Sequence, residues 1–140
     1  MAKNYMHLAF EGKVGGDAEM RYTPSGQAVT NFSVAVNDDY KDKAGQIVKR
    51  VTWFRVSSWG QTAEICNQYV KKGMSIIVEG RLNPDENGNP RVYQSGSLHK
   101  ASFEVTAKNV RFLTFAEDSG SNNADPRNKM VPPPDDFNSF

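Results

Sequence analysis

Trp53, Arg55 and Trp59 occupy odd positions in one run, Val51-Thr52-Trp53-Phe54-Arg55-Val56-Ser57-Ser58-Trp59, so a β-strand here sets two indole rings and a guanidinium on one face. The even positions, with Phe54 and Val56, make the better core face, because an arginine buried without a partner is costly. An aromatic face stacks a nucleobase for about 1–3 kcal/mol, and a guanidinium adds phosphate pairing or cation–π contact. Elsewhere Tyr40 stands beside Lys41 and Lys43, Tyr93 follows Arg91 and Val92, and Lys49-Arg50 lead into the tryptophan run. Cations interleaved with rings suit a strand of phosphates and unstacked bases. The same face could instead bury a subunit contact or a covering loop, since aromatics also mark protein interfaces.

Other chemistries find little support. His7 falls on a strand and His99 in a loop, with no spacing for zinc. Gly12-Lys13-Val14-Gly15-Gly16 lacks the Gly-Lys-Ser/Thr ending of a phosphate-cradling loop. Cys66, the only cysteine, falls on the apolar stripe of a helix and reads as a packed thiol. Asp38-Asp39 reads as a solvated pair at a hairpin edge. No acid–base constellation emerges, so we expect no enzyme, metal or cofactor.

The chain has 140 residues, enough for one domain with a real core. It lacks an apolar run long enough to span a membrane and an N-terminal signal pattern. A single cysteine excludes an internal disulfide, which fits a reducing, cytoplasmic setting. The net charge of +1 conceals an asymmetry. Residues 1–115 carry 15 Lys/Arg against 11 Asp/Glu, and residues 116–140 carry 2 against 5. A body this mildly basic does not argue nucleic-acid binding by charge alone; the placement of the cations must do so.

The elements that must position these residues follow from periodicity. Met6 to Val14 alternate with period two, a strand broken by Gly15-Gly16-Asp17. A short extended piece, Met20-Arg21-Tyr22, ends at the turn Thr23-Pro24-Ser25-Gly26. A long strand spans Ala28–Asn37, a polar hairpin tip follows at Lys43-Ala44-Gly45-Gln46, and the next strand runs from Ile47 to Trp59. Gln61–Lys72 has helical spacing, with Ala63, Cys66, Tyr69 and Val70 on one stripe, Lys71-Lys72 in the last turn and Gly73 at the C-cap. Ser75–Leu82 is a strand and Asn87-Gly88 centres a turn. Arg91–Tyr93 extends an arm, and Gln94–Lys100 reads as loop. The last strand, Ala101–Thr114, carries Phe103 and Val105 in one parity and Val110 and Phe112 in the other. That change implies a bulge near Lys108-Asn109. Five long strands with one helix between the third and fourth is the order of an OB-fold, a five-stranded Greek-key barrel, here expected over residues 1–115. Residues 116–140 are rich in Ser, Asn and Pro and read as a disordered tail.

Four segments, in order, carry a resemblance: Gly15-Gly16-Asp17-Ala18-Glu19-Met20-Arg21-Tyr22-Thr23-Pro24-Ser25-Gly26, Thr52-Trp53-Phe54-Arg55-Val56, Tyr69-Val70-Lys71-Lys72-Gly73 and Val78-Glu79-Gly80-Arg81-Leu82. Together they resemble the bacterial-type single-stranded DNA-binding proteins over residues 5–114. The resemblance implies a homotetramer that wraps and protects single-stranded DNA during replication, recombination and repair, in the cytoplasm at the nucleoid. It implies stacking at Tyr40, Trp53 and Trp59, with Tyr93 a looser match because the 83–100 segment departs from the commonest pattern. The phosphate contacts expected around those rings are Arg55, Arg21, Arg91 and Lys13, with Lys41, Lys43, Lys49 and Arg50 on the hairpin side and Lys72 and Arg81 beyond. The chain closes on Asp135-Asp136-Phe137-Asn138-Ser139-Phe140. Asp135, Asp136, Phe137 and Phe140 resemble the family's acidic, phenylalanine-ended tip, which docks replication and repair proteins; Asn138-Ser139 stand where a proline is usual. An RNA-binding module and a protein-interaction scaffold remain the rivals to this reading.

Overall fold

Alternation of apolar side chains from Ala28 to Asn37 builds the strand around which the other elements pair. The computed structural model describes residues 3–114. In chain order its elements are β1 (Leu8–Val14), β2 (Glu19–Tyr22), β3 (Ala28–Asn37), β4 (Tyr40–Lys41), β5 (Ile47–Val48), β6 (Val51–Trp59), α1 (Gly60–Tyr69), β7 (Ser75–Leu82), β8 (Arg91–Ser95) and β9 (Leu98–Phe112). Strands β1, β7, β9, β6 and β3 follow one another around a ring, and a β1–β3 pairing closes it into a five-stranded barrel. All pairings in the ring are antiparallel except β6 with β9. This is the expected OB-fold, mostly β with one helix. No helix among the described residues is long and apolar enough to cross a membrane.

Closure depends on two close backbone approaches. At Lys13, β1 passes from Ser75 of β7 to Ala35 of β3. Beside it, any Cβ on Gly12 would collide with the Ala35 carbonyl. On the opposite side of the ring, a Cβ on Gly80 would collide with the Thr106 carbonyl. There the β7–β9 register steps from Glu79↔Asn109 to Gly80↔Ala107, leaving Lys108 as the extra residue. The bulge therefore lies where the parity change of β9 placed it, and it lets one long strand bend around the barrel.

The interior is filled by Val14, Phe32, Val34, Val56, Ile76, Val78, Val105 and Ala107, with Cys66 of α1 and, just beyond the helix, Val70 and Met74 packed on them. Thr30 anchors the helix by donating to the Ala63 carbonyl at 2.6 Å.

Three turns share one plan. In Thr23–Gln27, Asp42–Gln46 and Asp85–Asn89 the first residue's N–H donates to the fifth carbonyl, and the N–H of the fourth residue, a glycine, donates to the first carbonyl. The first residue's side-chain oxygen also accepts from the fifth N–H. Each glycine has positive φ, between 81° and 88°, a backbone state that other residues seldom adopt.

Several expected boundaries move. Helix α1 ends at Tyr69, not Lys72: Val70 leaves the helix with ψ 117° and is buried in the core. Lys71-Lys72 therefore lie beyond the last turn, and the Lys72 N–H donates to Asp17 Oδ1 at 2.9 Å. Gly73, with φ +90°, donates to the Val14 carbonyl instead of capping the helix. Tyr69 is half exposed and tilts against Phe112. Segment 94–100 is not loop: β8 and the start of β9 form a hairpin through Gly96-Ser97. Its polar residues gave no apolar alternation because no residue of the arm enters the core. The strand expected from Ile47 is interrupted at Lys49-Arg50, and β5 pairs with β4 as a separate short ribbon. Phe103 is 60% exposed at one end of the barrel, tilted against Phe54, which stacks on Phe10.

Candidate nucleic-acid interface

Strand pairing carries the odd face of β6 across the outside of the barrel. Trp59 pairs with Val29 and, beyond it, Arg21; Ser57 with Asn31 and Glu19; Arg55 with Ser33; Trp53 with Ala35 and Lys13. Paired residues share a face. The even face lies inside as expected: Val56 and Ser58 are fully buried and Phe54 packs on the core.

Two open cavities occupy this outer face. One, of about 760 Å³, is lined by Arg21, Tyr22, Asn31, Arg55, Ser57, Trp59, Arg91, Tyr93 and Glu104, among others. The other, of about 470 Å³, is lined by Arg50, Trp53, Tyr93, Lys100 and Phe103 with their neighbours. Tyr93 lines both, so the two cavities lie side by side along this face, with Trp59 in one and Trp53 in the other.

Each ring has a distinct seat. Trp59 is 40% exposed at the junction of β6 and α1, and makes no side-chain cap bond to the helix. Trp53 is half-buried, and its ring lies over Gly15: a Cβ there would stand 2.5 Å from Cζ3. Tyr93 reaches the groove from the β8–β9 arm, paired with Lys100. Tyr40 stands outside both cavities, on the β4–β5 ribbon, 45% exposed.

Arg55 departs from expectation. It belongs to the outer face but is only 3% exposed, because the arm folds Tyr93 across it. The guanidinium carbon lies 5.3 Å from the Tyr93 ring centroid, within cation–π range. Glu104, its partner in the β6–β9 register, lines the same cavity. A contact from some forty residues along the chain is invisible to strand parity.

The other basic residues divide. Arg21 and Arg91 line the larger cavity and Arg50 the smaller. Arg91 Nε donates to the Asn83 carbonyl at 3.1 Å. Lys13 shares the outer face two strands from Trp53. Lys41, Lys43 and Lys49 are exposed on or beside the ribbon. Lys72 and Arg81 line neither cavity; Arg81, half-buried on β7, pairs with Thr106. Arg50 is engaged already, with Nη2 2.7 Å from Asp38 Oδ2 and its guanidinium 4.7 Å from the Tyr40 ring centroid. Asp38 thus has a cationic partner rather than being simply solvated.

Residues that the sequence reading missed are Asn31 and Glu104 in the larger cavity, Lys100 in the smaller, and Ser33 buried beneath Trp53. Ser57 Oγ donates to Asn31 Oδ1 at 2.7 Å, and Ser102 Oγ donates to Glu104 Oε2 at 2.8 Å. Ser33 Oγ is buried beside Trp53 and Gly15 without a hydrogen-bond partner among the described residues. Only the register brings these residues beside the rings. The tip residues Asp135, Asp136, Phe137 and Phe140 lie outside the described residues.

Comparison with known proteins bears on the family and the fold. The single-stranded DNA-binding protein 1 of Chlorobaculum tepidum is 36% identical over 128 residues, 89% of this chain and 74% of its own length. A single-stranded DNA-binding protein of Neisseria meningitidis serogroup A is 36% identical over 103 residues, 73% of this chain but 56% of its own. A deletion mutant of the single-stranded DNA binding protein from Thermus aquaticus superposes with a TM-score of 0.64 at 29% identity, covering 81% of this chain and 53% of that one. The Plasmodium falciparum SSB, solved in complex with single-stranded DNA, superposes with a TM-score of 0.64 at 19% identity, covering 81% and 99%, and supports the fold alone. The model of the Single-strand binding protein family, a family of binding proteins and not of enzymes, matches residues 5–113. With a match that runs the length of the barrel, this chain belongs to the single-strand binding protein family.

Proposed function

We propose that this chain binds single-stranded DNA without strong sequence preference, along the groove from Trp59 to Trp53, and protects it during replication, recombination and repair. The observation that carries this reading is the placement of Tyr93, which lines both cavities and joins the two tryptophans into one aromatic path. Every base has a π-face, so such a path is tolerant of sequence. Arg21, Arg91, Lys13 and Lys100 border it, and Lys41, Lys43 and Lys49 extend the cationic edge along the β4–β5 ribbon. Lys72 and Arg81 make weaker phosphate contacts, reached only if the strand continues around the barrel. Titration with oligo(dT) quenches tryptophan fluorescence strongly, whereas a duplex of equal length does not. Equal affinity for duplex overturns the proposal, and a clear preference for matched RNA redirects it to an RNA-binding role.

Two extensions follow from the family resemblance. The chain assembles as a homotetramer, for which the exposed Tyr5 and Met6 and the half-buried Leu8 and Phe10 offer apolar surface near β1. Light scattering that finds a monomer removes this. The tip, Asp135, Asp136, Phe137 and Phe140, recruits replication and repair proteins in the cytoplasm: two rings and two acids suit a basic, apolar pocket. Deleting Asp135–Phe140 leaves oligo(dT) affinity equal or slightly higher, since acids that compete with DNA are lost. A large loss of affinity contradicts this division of labour.

A further inference from the structure

Tyr40 and Arg50 face each other across the base of the β4–β5 ribbon. Arg50 is one of the basic residues expected to meet phosphate, yet its side chain is committed within the chain. Its Nη2 lies 2.7 Å from Asp38 Oδ2, and its planar guanidinium lies over the Tyr40 ring at 4.7 Å. The backbone is fastened separately: the Asp38 N–H donates to the Arg50 carbonyl at 2.8 Å, and the Arg50 N–H donates to Asp39 Oδ1 at 3.2 Å. Ribbon and side-chain stack are thus held by different bonds.

We infer that Arg50 is a positioning residue for Tyr40 and not a phosphate contact. Asp38 pairs with the guanidinium and holds it as a flat plate against one face of the phenol ring. The other face of Tyr40 then receives a single base, at the edge of the groove where Arg50 borders the cavity of Trp53. Arg50 limits ring rotation before the base arrives, so less freedom is lost on binding. This rests on the single-stranded DNA reading above and assigns one residue within it.

The test is oligo(dT) affinity measured at several salt concentrations for Arg50→Ala, Arg50→Lys and each combined with Tyr40→Ala. Removing a phosphate contact lowers the slope of log affinity against log salt by about 0.7 for a single strand. Removing a positioning stack leaves the slope unchanged. We expect Arg50→Ala to weaken binding about two- to fivefold, the scale of an exposed cation–π contact, with the slope intact. Arg50→Lys weakens it similarly, because an ammonium cannot reproduce the flat plate. On the Tyr40→Ala background neither change has further effect. The backbone bonds of the ribbon do not depend on the Arg50 side chain, so they survive both substitutions. A shallower slope in Arg50→Ala that Arg50→Lys restores overturns the inference, as does a loss that persists without Tyr40, or no loss at all. A wild-type chain that binds duplex as well as oligo(dT) removes the function reading itself, and this inference with it.

Discussion

The Trp53 ring rests directly on Gly15, so close that an added Cβ would stand 2.5 Å from Cζ3, 2.8 Å from Cη2 and 2.9 Å from Ser33 Oγ. Gly15 opens the first of the family-like segments, and its lack of a side chain is a condition for the indole's seat. Gly15→Ala must displace the ring, since Ser33 Oγ closes the other side. We expect oligo(dT) affinity to fall with the salt slope unchanged, and stability to fall by about 1–3 kcal/mol, as for other overpacked sites. Fluorescence titration and urea unfolding read the two effects. Unchanged affinity would mean that the Trp53 ring is not held in place for stacking.

Trp59 and Lys43 separate stacking from charge. Trp59 makes no cap bond to α1, so Trp59→Ala leaves the helix start undisturbed and removes about 1–3 kcal/mol of binding with no change in salt slope. Lys43→Ala, at the tip of the β4–β5 ribbon, lowers the slope by about 0.7 with a small loss at low salt. Oligo(dT) titrations across salt distinguish the two, and the reverse pattern would exchange the assigned roles.

Arg55 and Tyr93 are expected to act as a unit. The ring covers a guanidinium that is 3% exposed, so Tyr93→Ala both removes a stacking face and uncovers the cation. Arg55→Ala removes the support beneath the ring. A double-mutant cycle on oligo(dT) affinity should show coupling of about 0.5 kcal/mol or more, against additivity for distant pairs. Additive losses would show that the arm does not depend on Arg55.

Cys66 introduces a pH dependence unrelated to DNA. Burial holds its thiol above the ordinary range, and a hydrogen bond with Ser58 opposes this only partly. Below the unfolded thiol value, about 8.5, both states are protonated and the thiol contributes no pH dependence. As pH rises from there toward the higher folded value, the unfolded chain loses a proton that the folded chain keeps, and stability falls by up to about 1.4 kcal/mol per pH unit from this group. Cys66→Ala should flatten that part of the alkaline decline in urea unfolding. An identical decline in both proteins would show that other groups cause it.

Local rules made much of the barrel legible. Strands β3 and β7 fall at the expected residues because their alternation is strong and turns bound them. The bulge at Lys108 was foreseeable because a bulge is what reconciles two parities in one strand. The three glycine turns were marked by residues with mechanical reasons to be there. The misplacements share another cause. α1 stops at Tyr69 because burying Val70 outweighs the continued helical spacing through Lys72. The arm at 91–100 is polar because none of it enters the core, and an apolar period-two pattern is absent where a strand's inner face covers a polar groove rather than the barrel interior. Phe103 has the parity of Val105 and pairs with Phe54, but it lies past the last β7–β9 pair, Leu82 with Val105, where an inward direction no longer leads to core.

The same boundary runs through the site. That Trp53, Arg55 and Trp59 share a face could be read from residue order, because strand geometry alternates side chains whatever the strand packs against. The order of four short segments likewise carried the family. What that face meets depends on the folded chain. The arm that brings Tyr93 over Arg55, the register that sets Asn31 and Glu104 in the larger cavity and Ser33 beneath Trp53, and the ribbon that stacks Arg50 on Tyr40 all join residues far apart in the chain or on separate segments. Their meeting depends on pairing register and loop path, which parity and composition do not encode.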